Sequence, residues 1–412
     1  MRCRHCGAVV TLPMADLGTA PPSNAYLSEA ALREPERWYP LRVLVCQNCW
    51  LAQTEDFAKA DHLFDADYAY FSSFSSTWLA HAQALVADMV ERFALSHQSN
   101  VVEVAANDGY LLQYVAQLGI PCLGIEPTRS TAAAARAKGL HVIEKFFGTA
   151  LARELVAQGQ AADLTVANNV LAHVPDINDF VAGFAALLKP HGVASFEFPH
   201  LLQGVQQCQF DTLYHEHFSY LSLTAVVRIF ASQGLTVFDV QELPTHGGSL
   251  RVLARRSDGQ AGLAAEPMNP RVAAMLSRED NVGMRSAAFY SDLQRQAIRI
   301  KRELLLFLLK AQASGETVAA YGAAAKGNTL LNFAGVRADL VPYVVDRNPA
   351  KQGKFLPGSR IPVRAPEYLL AHRPEYVLIL PWNLKKEVME EVGAAVDWAG
   401  RFVVAVPTLQ IV

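Results

Sequence analysis

Apolar and polar positions follow two periods along this chain, and the changes of period divide it. From Trp78 to Phe93 apolar residues (Leu79, Ala82, Leu85, Val86, Met89, Val90) recur at helical spacing, which predicts a helix opening a domain. Asn100-Val-Val-Glu103-Val-Ala105-Ala-Asn107-Asp108-Gly109 follows as a buried strand, a small-residue turn and a helix start, the first unit of a doubly wound sheet. A second apolar strand ends at Glu126-Pro127, a third at Asn168, and a fourth follows Gly192. Ser222–Gln233 reads as helical, Leu235–Val240 as extended, and His246-Gly-Gly-Ser249 as a glycine turn entering another strand. Ser257–Glu279 carries Gly and Pro with weak periodicity, so a boundary is placed there. Beyond it come a long amphipathic helix, Ser286–Ala313, and a second strand, glycine turn and helix start around Tyr321–Asn328. Further strands are predicted at Leu340–Val345, Tyr376–Leu380 and Phe402–Val406, and one near the start of the chain at Tyr39–Val45. The fold class is therefore α/β. The expected parts are a small domain at 1–72, a Rossmann-like domain at 73–256, a linker at 257–285 and a second Rossmann-like domain at 286–412.

Composition removes several function classes. The chain has 412 residues, 51% of them hydrophobic, enough for two or three cores. Lys+Arg of 36 against Asp+Glu of 39 leaves a net charge of −3, which argues against a nucleic-acid surface. The apolar run Leu304–Leu309 is far shorter than a membrane span, and Met1-Arg-Cys3 leaves no room for a signal peptide, so a cytoplasmic protein is expected. Of the six cysteines, Cys3, Cys6, Cys46 and Cys49 form two CxxC knuckles. In a reducing compartment that pattern means metal before disulfide, and each knuckle supplies two corners of a tetrahedral zinc site. The other reading is a redox dithiol pair or free cysteines. Four thiolates close the zinc, so it would hold structure and do no chemistry.

The densest candidate chemistry lies in Phe210–Tyr220, where Tyr214, His215, Glu216, His217 and Tyr220 fall within seven residues. If Tyr214–His217 is extended, Tyr214 and Glu216 point one way and His215 and His217 the other, so one face presents a base that the other orients. His217 is read as that base, against the alternative of a histidine pair satisfied by backbone or water. A hydroxyl-rich run through Tyr68, Tyr70 and Ser73 reads as a lid over a ligand or a surface loop. Glu103, Ala105, Asn107, Asp108 and Gly109 form the first turn. Glu126, about twenty residues on and followed by Pro127, is placed to accept from both ribose hydroxyls of a nucleoside. With acidic groups and no GxGxxG, the cationic, phosphate-free S-adenosylmethionine fits this pair better than a dinucleotide does. Phe146 or Phe147 could stack its adenine; Asn168 and Asn169 lie on the same sheet edge, with His173 one helical turn beyond. His246 and Arg251 read as an anion site or a tight turn, and Lys326, Asn328 and Trp382 as polar groups at the second Rossmann-like edge, suited to a phosphate.

Together, the four cysteines, Tyr68-Ala-Tyr-Phe-Ser-Ser, Glu103-Val-Ala-Ala-Asn-Asp-Gly, Tyr214-His-Glu-His, His246-Gly-Gly-Ser-Leu-Arg and Gly322-Ala-Ala-Ala-Lys-Gly-Asn resemble the sugar C-methyltransferases of deoxysugar biosynthesis, over essentially the whole chain. The resemblance implies a zinc-binding N-terminal domain, a central S-adenosylmethionine domain, and a C-terminal domain that helps hold a nucleotide-linked keto-sugar. It implies methylation at C-3 of a dTDP-4-keto-sugar, or at C-5 in other members. By position it makes His217 the base, supported by Glu216, Tyr214 and Tyr68, with Asn169 and His173 lining cofactor and substrate. Ala105 and Asn107 replace glycines usual in the wider methyltransferase superfamily. No nucleic acid, no membrane and a monomer are expected. Two further readings stay open: an NAD-dependent nucleotide-sugar oxidoreductase or epimerase, and a zinc-containing scaffold with a degenerate methyltransferase domain.

Overall fold

The computed structural model describes residues 1–57, 71–259, 267–395, 398 and 400–412. Three sheets organise them. The first is antiparallel, in the order β1 (Leu12–Ala20), β2 (Tyr39–Val45), β3 (Ala52–Thr54), β9 (Ser219–Tyr220). Its last strand comes from the 210–220 cluster, through the pairs Ala52–Tyr220 and Gln53–Ser219. The cluster is thus stitched into the N-terminal sheet.

The second sheet has seven strands: β10 (Leu235–Leu243), β11 (Ser249–Arg256), β8 (Leu188–Pro199), β7 (Ala162–Asn168), β4 (Val101–Val104), β5 (Cys122–Ile125) and β6 (Val142–Ile143), in that spatial order. The strands β8-β7-β4-β5-β6 are parallel, while β11 and β10 return antiparallel. Chain order reverses between β4 and β7, so the crevice outside their carboxyl ends is the natural ligand site. The third sheet repeats the device with β14 (Val363–Arg364), β13 (Val344–Val345), β12 (Val318–Tyr321), β15 (Tyr376–Ile379), β16 (Arg401–Val404) and an antiparallel β17 (Gln410–Ile411), reversing between β12 and β15.

Two expectations change. The stretch taken for a linker contains the helix Pro270–Asn281, started by Pro270 and capped by the Asn269 side chain, which packs on β10 and the helix Leu223–Ser232. Its buried stripe is Val272, Met275 and Glu279, and a carboxylate on the stripe hides the apolar period. Glu279 accepts from His200 Nε2, Leu223 N and Thr224 N, each at 2.7 Å, so it is satisfied where it is buried. The long helix divides into Ala287–Tyr290 and Leu293–Ala313. The N-terminal sheet also shares one core with the C-terminal third, including Met14, Leu41, Phe210, Leu304, Leu330 and Leu356, and Leu27 bridges to Phe355.

Candidate active site

A cavity of about 640 Å³ opens at the carboxyl edge of the second sheet and runs to the edge of the third. At one end the turn after β4 holds Ala105, Asn107 and Gly109 at φ of 59°, 49° and 76°. Gly109 lies outside the cavity lining and is closely packed: a Cβ there would sit 2.3 Å from Leu140 Cδ1 and 3.3 Å from Ala135 Cβ, so the leucine would have to shift. Ala105 and Asn107 adopt the left-handed backbone that glycine would favour. The sequence departs from glycine, and the conformation does not. Left-handed alanine costs about 1–2 kcal/mol, so Ala105→Gly is expected to raise the thermal midpoint by about 1–2 °C in calorimetry.

That turn is tied to Glu126, which is 4% exposed. Its Oε2 accepts from Asn107 N and its Oε1 from Thr128 N, both at 2.9 Å, and the Thr128 and Thr131 hydroxyls bond to the same carboxylate. Burial raises its pKa. Pro127, Phe147, Asn168 and Asn169 line the same end. Phe147 is a wall ring packed edge-on against Phe180 and Phe184, and Phe146, in the same lining, is exposed. Asn168 Nδ2 donates to Tyr110 and Asn169 Nδ2 to His246 Nε2 at 3.0 Å, while the Oδ1 of each asparagine has no partner among the described residues. Buried acceptors without donors beside a carboxylate suit a cationic, donor-rich ligand. Glu103 is fully buried in β4 and does not reach the cavity; its pKa is pushed well up by burial. Asp108 and Ser73 also lie outside the lining: the carboxylate accepts from Ser73 N, so they pin the 71–74 segment over the turn.

At the other end the extended reading of Tyr214–His217 fails. His217 N donates to Tyr214 O at 2.9 Å, closing a turn in which residues three apart share a side, and their rings lie 4.0 Å apart in the cavity wall. His217 Nδ1–H donates to Thr212 O at 3.0 Å, which leaves Nε2 as the bare nitrogen. The backbone carbonyl, and not Glu216, holds that tautomer. Burial, followed by His173 alongside at 4.6 Å, pushes the His217 pKa well down. His173 donates from Nδ1 to Glu216 O, and burial lowers its pKa to about 4. His215 turns away, donating to Pro40 O. Glu216 is outside the lining, its Oε1 accepting from Asn24 N and Nδ2. Tyr68 and Tyr70 lie outside the described residues.

From the third sheet, Lys326 lines the cavity above the Trp382 ring, its Nζ donating to Asn383 Oδ1 at 2.7 Å. Burial lowers its pKa, against the pull of Asp211. Trp382 lies beneath, donating to Asp211, and Asn328 is buried against Ser23 O, so neither touches the cavity. The anion role for Arg251 fails as well. It pairs across strands with Glu197, its guanidinium 2.8 Å from that carboxylate, which also takes His81 and Thr245. His246 does line the cavity, at φ 54° and with a pKa near 4 from burial, then Lys326. The sequence reading missed Asn24, Trp78, Thr128 and Lys351 in the lining; Lys351, in a Gly-rich loop after a strand end, carried the one usable signal.

Comparison with known proteins decides the family. Three family profiles match in succession: a putative zinc binding domain over 3–64, a methyltransferase domain over 78–240, and a C-methyltransferase C-terminal domain over 244–407. C-methyltransferase NovU of Streptomyces niveus is 34% identical over 410 residues, covering 100% of this chain and 96% of that one. The chain belongs to the C-methyltransferase family. Solved structures that align in part include magnesium protoporphyrin IX methyltransferase (ChlM) of Synechocystis PCC 6803 with bound SAH (18% identity, 43% of this chain, 83% of that one, TM-score 0.35) and the PH0226 protein of Pyrococcus horikoshii OT3 (13%, 49%, 100%, 0.39).

This C-methyltransferase takes S-adenosylmethionine as its methyl donor and holds a structural zinc. The metal site fits: Cys3–Cys49 and Cys6–Cys46 Sγ atoms are each 3.5 Å apart, and all four lie within 4.8 Å of one another. Tetrahedral zinc with bonds near 2.3 Å wants sulfurs about 3.8 Å apart. Among the described residues no helix is long and apolar enough to cross a membrane.

Proposed function

We propose that this C-methyltransferase methylates the carbon beside the ketone of a nucleotide-linked 4-keto-deoxysugar, with dTDP as carrier and C-3 as the carbon, and that His217 is the base. The observation that carries this is the His217 ring: Nδ1 fixed on a carbonyl, Nε2 bare, in the cavity that also holds Glu126 and Asn169. Carbon becomes nucleophilic only when a base removes its proton while the developing enolate oxygen is stabilised. His217 Nε2 takes the proton from the sugar carbon, and burial keeps the ring neutral and ready at neutral pH. The same burial makes it a weaker base, so the Tyr214 hydroxyl and the polar groups around it must stabilise the oxygen. Bound S-adenosylmethionine supplies an electrophilic methyl group to the enolate carbon. Glu126 would receive its ribose hydroxyls, and Asn168 and Asn169 would accept from its donor groups. The first turn of the helix Ala325–Ala334, with Lys326, faces the diphosphate. The zinc-binding part at 1–72 and the C-terminal part at 286–412 form the sugar end, with Tyr68 as a further hydroxyl donor. Reduced thiolates suit the cytoplasm.

The epimerase reading loses support at the third sheet's turn, where Asp346 accepts from Ala323 N and Lys351 fills the same corner, donating to Ala323 O at 2.8 Å. The deciding experiment is incubation with dTDP-4-keto-sugars in D₂O without methyl donor. Deuterium entering one carbon names the substrate and the position; no exchange with any of them sinks the reading. Glu126→Ala is expected to weaken S-adenosylmethionine binding by about 10–100-fold in calorimetry, the worth of one or two hydrogen bonds to a charged acceptor.

A further inference from the structure

The segment Pro21–Tyr26 is a tight strap between the central and C-terminal parts. Ala25 N donates to Pro22 O and Tyr26 N to Asn24 O, which folds the chain on itself. Its flanks are fastened to the C-terminal part: Ser23 O accepts from Asn328 Nδ2 at 2.6 Å, and Tyr26 OH donates to Ala323 O at 2.5 Å. Its middle is fastened to the catalytic turn, because Glu216 Oε1 accepts from Asn24 N at 3.0 Å and from Asn24 Nδ2 at 3.2 Å. Asn24 is half-buried and lines the same cavity as His217 and Lys326.

These contacts fix which end of the amide is free. Glu216 Oε1 already receives a backbone N–H, so it acts as an acceptor whether or not a proton sits on Oε2. The Asn24 NH₂ must therefore face it, and Oδ1 must face the other way. Among the described residues Oδ1 has no partner. A held carbonyl oxygen in a cavity wall is an acceptor for an O–H, and it gives no reward to a carbon that lacks one. Glu216, buried and outside the lining, has no access to the sugar of its own.

We infer that Asn24 is a specificity-determining residue whose side-chain oxygen accepts one ring hydroxyl of the sugar, and that Glu216 is a positioning residue acting through Asn24. This rests on the nucleotide-sugar reading above. It also explains why a carboxylate beside the base in sequence is turned away from the base in space: its work is on the strap. Asn24→Asp would place a second carboxyl against Glu216 and force the pair to share a proton, which the neutral amide avoids.

The test compares dTDP-4-keto-6-deoxyglucose with its 2-deoxy and 3-deoxy analogues in the wild type, Asn24→Ala, Glu216→Ala, Glu216→Gln and the double alanine variant. Zinc content and S-adenosylmethionine affinity equal to wild type certify the fold. The wild type is expected to disfavour one deoxy analogue by about 10-fold or more in kcat/KM, the worth of a satisfied hydroxyl. Asn24→Ala is expected to shrink that ratio to about 3-fold or less, mainly through KM. Glu216→Ala should do the same, the double variant should be no worse than either single, and Glu216→Gln should restore most of the loss, since its amide oxygen can still accept. Full discrimination retained by Asn24→Ala overturns the inference, as do penalties that multiply in the double variant. Deuterium exchange by the wild type, run alongside, separates the two levels: without exchange the nucleotide-sugar reading fails, and with exchange the variants judge Asn24 alone.

Discussion

His217→Asn is expected to lower turnover by roughly 10²–10⁴-fold, the usual worth of a positioned general base, with S-adenosylmethionine affinity within about 2-fold of wild type. Asparagine can still place an N–H near Thr212 O, where the imidazole now donates at 3.0 Å, so the turn keeps its anchor. What it removes is the basic Nε2 in the cavity. The decisive reading is deuterium exchange into the sugar without methyl donor: loss of exchange and turnover together assigns His217 to proton removal. Loss of methylation with exchange intact would transfer the base to another group. Near-normal turnover would remove His217 from the mechanism.

The pH dependence carries a sign that can be checked on the same protein. Burial holds His217 well below its ordinary pKa, and puts His173 and His246 near 4. A base depressed in this way stays free of protons across neutral pH, so kcat is expected to be flat from about pH 6 to 8 and to fall only as acid approaches the depressed value. For stability the unfolded imidazoles titrate near 6.5 and bind protons that the folded ones refuse. Their contribution is therefore complete above about pH 6.5 and is lost as pH falls toward 4. A thermal midpoint that rises on acidification through this window would contradict the buried, neutral arrangement.

How much of this could be read from the sequence depends on whether a signal was local. Val101–Val104 is buried on every residue, and both knuckles are self-contained four-residue motifs, so each stood out. The turn at 214–217 did not. Alternation along Tyr214–His217 presumes a strand, and one backbone hydrogen bond from His217 to Tyr214 puts both rings on one side instead. Arg251 looked free because its neutraliser, Glu197, lies 54 residues earlier and meets it only through strand register. Pro270–Asn281 looked like a linker because a satisfied glutamate stands on its buried stripe. Asn24 was hidden for the same reason: its partner, Glu216, lies 192 residues later, and nothing in Pro-Pro-Ser-Asn names it.

Removing the zinc is expected to abolish methylation, by at least about 100-fold, while leaving S-adenosylmethionine binding within about 3-fold. The reason lies in Arg4, inside the first knuckle. Its side chain is 5% exposed, and the guanidinium donates to Thr54 O at 2.9 Å and Pro175 O at 3.2 Å and sits over the Phe218 ring. Thr54 in turn donates from Oγ1 to His217 O, and Pro175 lies two residues after His173. Arg4 N is fixed by Gln53, whose Nε2 donates to Cys3 Sγ. The shape that zinc imposes on Cys3–Cys6 is thus passed, through one arginine and one strand, to the backbone on both sides of the His173–His217 pair. Metal binding and local folding are a single equilibrium in such sites, worth about 10–16 kcal/mol in zinc-finger peptides, so without the ion the knuckle has little to hold its form. Glu126 and the turn after β4 are held by their own hydrogen bonds and do not depend on it. Chelation, or Cys49→Ser, followed by metal analysis, calorimetry with the donor, and amide exchange at Phe218, whose N–H donates to Ala172 O, makes the distinction. Faster exchange at that amide with intact donor binding is the predicted outcome; zinc-free enzyme that still methylates would show that the histidines hold their places without the knuckle.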